Sequence, residues 1–168
     1  MRTLLIDSVS GITEIQFLDI PSFAPERVLL IKRDGDNYMA ILRRPSRSIW
    51  YSQFEDEKSE IEIINFEKEI DLEMVEVLKC LYESVLRNLK VHNDESWTAD
   101  AGNFYFSANL PGLRTGTTKS PKRGSKMEEL VHINEEIIRL VEKTKGSEII
   151  FSKELIDRIR SLEKEIEN

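Results

Sequence analysis

Apolar residues in the first half of the chain come in short runs bounded by turn-forming residues, a pattern typical of β-strands. Two such runs, 27–33 and 38–42, are separated by Asp34-Gly35-Asp36-Asn37. Asp-Gly favours a tight turn, because glycine tolerates the positive φ that such turns require. We therefore expect an antiparallel hairpin over 27–42.

Further β-rich segments occur at 12–18, 48–51, 60–66 and 103–108. In the third of these, apolar and acidic residues alternate. Because successive side chains point to opposite faces of a strand, Ile61 and Ile63 should share one face and Glu60 and Glu62 the other. These segments, most of them in the first half of the chain, predict a mainly antiparallel sheet.

The second half is dominated by helical periodicity. Between 71 and 93, apolar residues recur in steps of three and four, which indicates an amphipathic helix with Asp71 as its N-cap. We expect it to pack on the sheet that holds Leu30 and Ile41. The predicted buried stripe includes Leu78, Leu81, Val85 and Leu86.

Two more helices are predicted from their capping residues. Ser125 and Glu128 match a capping box, and Gly146 is a suitable stop for the helix that follows. Ser152 can cap a last helix. With no repeat or linker to divide the chain, the sequence predicts a single α+β domain over 1–168: a mainly antiparallel N-terminal sheet with helices from the second half packed on one face.

Composition excludes several classes of protein. The 168 residues are 40% hydrophobic, too apolar for a disordered chain. One cysteine, Cys80, excludes a disulfide framework and a thiolate-rich zinc site. The longest apolar runs span four residues, far short of the ~20 of a membrane span, so we expect a cytoplasmic protein without a membrane partner.

The net charge of −7 is distributed unevenly. Residues 54–77 carry ten acidic residues against Lys58 and Lys68. One interpretation is a solvated surface; the other is an acidic surface that attracts a basic partner protein. In the second case the candidate binding residues are Glu55, Asp56, Glu57 and Glu60.

The segment 109–126 has the opposite character, with five basic residues, several glycines and no acid. It is not a Walker A loop, because two threonines separate Gly116 from Lys119 and Pro121 prevents a helix from beginning at Ser120. We expect a loop from Asn109 to Gly124, which serves either as a flexible connection or as an anion site at the helix N-terminus. The candidate residues are Arg114, Lys119, Lys122, Arg123, Ser125 and Lys126.

A second basic group consists of Arg43, Arg44 and Arg47, close to Trp50 and Tyr51. Bases interleaved with aromatics can bind nucleic acid. The acidic total argues against that function. We therefore interpret the group as a turn with Trp50 pointing inward.

Residues with catalytic potential are poorly organised. His92 and His132 have no second histidine or cysteine at ligand spacing, and Cys80 lies just off a helix stripe, typical of an inert, partly buried thiol. We predict no catalytic residue, metal ion or cofactor.

The sequence thus favours a non-enzymatic, acidic interaction module that binds, and in one version inhibits, a partner protein. Immunity proteins to secreted bacterial toxins share this profile, an analogy of class alone. The alternative is a phosphate- or nucleotide-binding protein or enzyme that uses the basic segment 109–126. The oligomeric state and the identity of the partner stay open.

Overall fold

The computed structural model describes residues 5–6, 10–54, 60–88, 102–110 and 114–168. Seven strands and four helices lie within these ranges, which confirms the predicted α+β fold. In chain order they are β1 (Ile12–Ile20), β2 (Arg27–Asp34), β3 (Asn37–Pro45), α1 (Ile49–Ser52), β4 (Ile63–Ile70), α2 (Leu72–Asn88), β5 (Asn103–Ala108), β6 (Arg114–Lys119), α3 (Lys126–Lys143), β7 (Glu148–Ile149) and α4 (Lys153–Glu167).

The strands form one sheet in the order β6-β5-β1-β2-β3-β4-β7. Neighbouring strands are antiparallel except β4 and β7, which run parallel. The hairpin is confirmed: β2 and β3 pair from Val28 opposite Arg43 to Asp34 opposite Asn37. Gly35 begins its turn with a φ of 63°, a backbone conformation that residues with a Cβ atom rarely adopt.

The main core lies between one face of the sheet and the three long helices. Phe17, Leu29, Leu42 and Phe106 contribute from the sheet. All four residues of the predicted α2 stripe are buried in this core, and Asp71 Oδ1 accepts the Glu73 N–H as an N-cap should.

The opposite face of the sheet carries a second, smaller core. It contains Leu5, Val28, Leu30, Ile41 and Ile49. Leu30 and Ile41 belong to the sheet on which α2 packs, but they face away from α2, because each alternates with a residue of the main core. The small core therefore attaches α1 to the face of the sheet opposite the long helices.

Two of the predicted local structures are wrong. The segment 48–51, expected as a strand, contains α1, in which the Ser48 side chain accepts the Tyr51 N–H. The expected loop 109–124 contains β6, which pairs with β5 along its whole length. Glu26, more than twenty residues earlier, accepts the N–H groups of α1, and the preceding strand β5 pairs with β6. Local propensity reveals neither set of hydrogen bonds.

Element ends also differ from expectation. β4 begins at Ile63 rather than residue 60, and α3 ends at Lys143, before Gly146. The two-residue β7 follows α3 and was not predicted. Ser125 and Ser152 are confirmed as N-caps, since they accept backbone N–H groups at the starts of α3 and α4. The reciprocal half of the capping box differs, because Glu128 accepts the Gly124 N–H while the Ser125 N–H donates to the Lys122 carbonyl.

Candidate functional site

Four large aromatic side chains are exposed together at one end of the sheet. We call them the aromatic patch: Phe23, Trp50, Tyr51 and Phe54, with 79, 55, 45 and 73% of each residue accessible. The rings of Trp50 and Phe54 make an edge-on contact with centroids 5.9 Å apart. The Tyr51 hydroxyl donates to the Ser22 carbonyl, which fixes α1 to the β1–β2 loop that carries Phe23.

A buried carboxylate holds α1 in place. Glu26, only 1% exposed, accepts the Ile49 N–H at 2.8 Å, the Trp50 N–H at 3.0 Å and the Ser48 hydroxyl at 3.0 Å. The two N–H groups belong to the first turn of α1, where backbone donors have no partner within the helix, and a carboxylate binds such donors strongly. Ile49 meanwhile lies in the small core. The aromatic patch is therefore displayed on a well-anchored support.

The segment before β4 places acidic groups beside this support. Ile61 and Ile63 pack against the small core that also contains Ile49. Glu60 and Glu62, which alternate with them, are exposed. The predicted alternation is thus found at Glu60 to Ile63. The candidates Glu55, Asp56 and Glu57 lie outside the described residues.

A cleft of about 480 Å³ opens at the same end of the sheet, toward α3. Its charged groups are paired: the Arg27 guanidinium contacts Asp19 at 2.7 Å and Glu135 at 3.2 Å, and Arg44 contacts Glu142 at 2.9 Å. Burial raises the pKa of Asp19 above its ordinary value, and this effect exceeds the lowering caused by the charge and hydrogen bond of the adjacent Arg27. Both guanidinium groups of the cleft are thus paired with carboxylates of the chain itself.

The basic candidates occupy three structural settings. Arg114 and Lys119 are exposed at the two ends of β6, at one edge of the sheet, and Lys122 and Arg123 are exposed in the turn that follows. Lys126 begins α3, and its ammonium donates to the Glu165 carbonyl.

The start of α3 is occupied by groups of the chain itself. Ser125 Oγ accepts the Glu128 N–H at 3.2 Å, and Glu128 Oε2 accepts the Gly124 N–H at 2.6 Å. A phosphate at this helix start would have to compete with the Glu128 carboxylate for the same donor. The other basic side chains of the segment are exposed along β6 and in the turn, away from the cap.

The second basic group is engaged within the chain. Arg43 donates to the Leu5 carbonyl, Arg44 pairs with Glu142 and lies over the Phe66 ring, and Arg47 also has an intramolecular contact. Trp50, expected to point inward, is more than half exposed. The reason is that α1 directs Ile49, its only buried residue, toward the sheet.

The remaining sequence candidates are dispersed. His132 is exposed on α3, and His92 lies outside the described residues. Cys80, expected to be partly buried, is exposed, because it lies off the buried stripe of α2. The pKa of its thiol is raised, first by desolvation and then by surrounding glutamates, which disfavours the nucleophilic thiolate. Among the described residues, no three histidine, cysteine or acidic side chains are grouped to hold a metal ion.

The aromatic patch was missed by sequence reasoning. Its one local signal is the motif Pro21-Ser22-Phe23-Ala24-Pro25, in which a large aromatic residue stands inside a loop bounded by prolines. The loop that carries Phe23 is brought to α1 by a tertiary contact, the hydrogen bond between Tyr51 and Ser22.

In the described part of the chain, none of the helices is long and apolar enough to cross a membrane. No protein family, curated protein or solved structure was found to match this chain.

Proposed function

We propose that this protein is a non-enzymatic binding module that attaches to a basic surface of a partner protein through the aromatic patch. The observation that carries the proposal is the joint exposure of Phe23, Trp50, Tyr51 and Phe54 on an anchored support. Clustered exposed aromatic side chains mark interaction sites, because leaving them in water costs free energy that a partner surface recovers.

The chemistry of the patch suits a protein interface. Tryptophan and tyrosine dominate binding hot spots, since they bury a large area at a small cost in side-chain entropy. Glu26 fixes the backbone of α1 before any partner arrives. Such preorganisation lowers the entropy lost on binding.

The charge near the patch indicates the character of the partner. Glu60 and Glu62 are exposed beside the small core that carries α1. Carboxylates at the rim of an apolar patch raise the association rate with a positively charged surface. Glu60 and Glu62 belong to the acidic segment 54–77, for which one interpretation of the sequence is a basic partner protein.

The first test is site-specific photo-crosslinking in an extract of the source organism. A benzophenone amino acid replaces Phe23 or Phe54, and a matched control carries it at Tyr105, an exposed aromatic residue on β5. We expect both patch positions to capture the same protein, the control position not to capture it, and Trp50→Ser to abolish capture. Equal capture at all three positions would refute a specific patch.

The second test uses the captured partner in purified form. The double change Glu60→Lys and Glu62→Lys should lower the association rate by about tenfold at low salt and change dissociation little. Asp157→Lys, an exposed change on α4, is the charge control. An association rate that is insensitive both to salt and to these changes would remove the electrostatic part of the proposal.

A further inference from the structure

The sheet ends at β6, far along the strand order from the support of the aromatic patch. β6 pairs with β5 on one side, and among the described residues no strand pairs with its other side. In an antiparallel edge strand, alternate residues direct their N–H and C=O groups outward. Six residues provide an edge roughly 20 Å long.

This edge is strongly basic. Arg114, Thr115, Thr117 and Lys119 are exposed along β6, and Lys122 and Arg123 are exposed in the turn beyond it. We call β6 with these two turn residues the basic edge. No acidic residue occurs within it.

The positions of the basic residues on β6 determine which kind of strand can pair with its outer edge. If two copies of β6 paired antiparallel about their common centre, Arg114 of each copy would stand opposite Lys119 of the other. Like charges directly opposite destabilise a strand pair, whereas opposite charges stabilise it. The basic edge therefore disfavours a second copy of itself and favours a strand with acidic residues at corresponding positions.

We propose that the basic edge binds an acidic, extended peptide segment of another protein by strand addition. The segment adds an eighth strand outside β6, and its main chain exchanges N–H and C=O hydrogen bonds with the outward groups of β6. Its carboxylates lie opposite Arg114 and Lys119. A phosphate group fits less well, because it accepts hydrogen bonds but gives the outward carbonyls of β6 no donor.

The test uses a fluorescent six-residue peptide with glutamate at both ends and alternating valine and threonine between them, and binding is followed by anisotropy at low salt. Arg114 and Lys119 are five residues apart and so lie on opposite faces of β6, where the two end glutamates can stand opposite both. A peptide with lysine in place of glutamate tests charge. Two further acidic peptides test main-chain hydrogen bonding: one is N-methylated at its odd-numbered residues and the other at its even-numbered residues. We expect the lysine peptide and at least one methylated peptide to bind about tenfold more weakly or worse. Hydrogen exchange should slow at amides within 114–119 when the acidic peptide binds.

Protein variants locate the site. Arg114→Glu combined with Lys119→Glu should weaken acidic-peptide binding by about tenfold or more. The matched control, Lys145→Glu with Lys153→Glu, reverses two exposed charges elsewhere and should leave binding unchanged. Trp50→Ser should also leave it unchanged, which separates this proposal from the function proposed for the aromatic patch.

Several results would overturn strand addition. They are an acidic peptide that fails to bind at millimolar concentration, methylated peptides that both bind as tightly as the unmethylated peptide, and no protection within 114–119. Inorganic polyphosphate that binds while the acidic peptide does not would instead assign the basic edge to anion binding. The peptide comparisons use the unaltered protein, so they decide the question even if the charge-reversed variant fails to fold.

Discussion

Replacing Glu26 tests whether one buried carboxylate maintains the aromatic patch. Its two oxygens accept hydrogen bonds from Ser48 Oγ and from the N–H groups of Ile49 and Trp50. Glu26→Ala removes all three acceptors at once. Glu26→Gln keeps the size of the side chain and one carbonyl oxygen that can accept a hydrogen bond. Its NH₂ group is a donor and cannot accept the hydrogen bond that the second carboxylate oxygen accepted.

The three contacts set the magnitude. The bond to the Ile49 N–H is buried, so its loss should cost the ~2 kcal/mol typical of a hydrogen bond to a charged group. The other two bonds are only partly buried, so water can replace the lost acceptor. The loss of each should therefore cost about 1 kcal/mol. Relief of the desolvation of the carboxylate offsets part of this sum. We expect a loss of about 2–4 kcal/mol for Glu26→Ala and roughly 1–2 kcal/mol for Glu26→Gln.

The assay compares global and local stability. Urea titration gives the free energy of unfolding, and hydrogen exchange reports on the Ile49 and Trp50 amides. In a Trp97→Phe background, Trp50 is the only tryptophan, so its fluorescence reports on α1 directly. Glu60→Gln, an exposed change without these contacts, is the control and should alter neither measurement.

The reasoning would be refuted by a Glu26→Ala protein that loses less than about 0.5 kcal/mol and keeps slow exchange at both amides. Rapid exchange at those amides with little change in global stability would instead show that α1 detaches locally. In that case the patch should lose partner capture while the rest of the fold persists.

Three further predictions concern the core and the cleft. Leu81→Ala, at a fully buried position, should lower the free energy of unfolding by ~2–5 kcal/mol, and a loss below about 0.5 kcal/mol in urea titration would contradict the packing of α2. Tyr82→Phe removes the 2.7 Å buried hydrogen bond to Asn134 Oδ1 and should cost about 1–3 kcal/mol; an unchanged melting curve would disprove its contribution. Because burial raises the pKa of Asp19, the folded state holds that proton more tightly than the unfolded chain. Wild type should therefore gain stability relative to Asp19→Asn as pH falls from neutrality toward the ordinary value of 3.8, and a difference that moves the other way in urea titrations would contradict the shift.

Local sequence signals determined much of the fold. The Asp34-Gly35 turn brings two apolar runs into register, and the three-to-four spacing of residues such as Leu78 and Leu81 gives α2 its buried face. Ser125 and Ser152 cap their helices through contacts three residues away. These features follow from interactions within one turn of chain, so the residues involved are neighbours in the sequence.

The candidate surfaces were only partly predictable. The positive charge of 109–126 can be counted in the sequence alone. Its arrangement along a strand cannot be predicted in this way, because Thr115 and Thr117 are extended where they pair with β5. Of the acidic candidates, Glu60 is exposed as expected for a charged surface.

Tertiary structure alone decided the aromatic patch. Ser48 to Tyr51 has the composition of a strand, yet it is helical because Glu26, more than twenty residues earlier, accepts the N–H groups of the helix start. The loop that carries Phe23 is held to α1 because the Tyr51 hydroxyl donates to the Ser22 carbonyl. These hydrogen bonds join residues more than twenty positions apart, so no local pattern in the sequence encodes them.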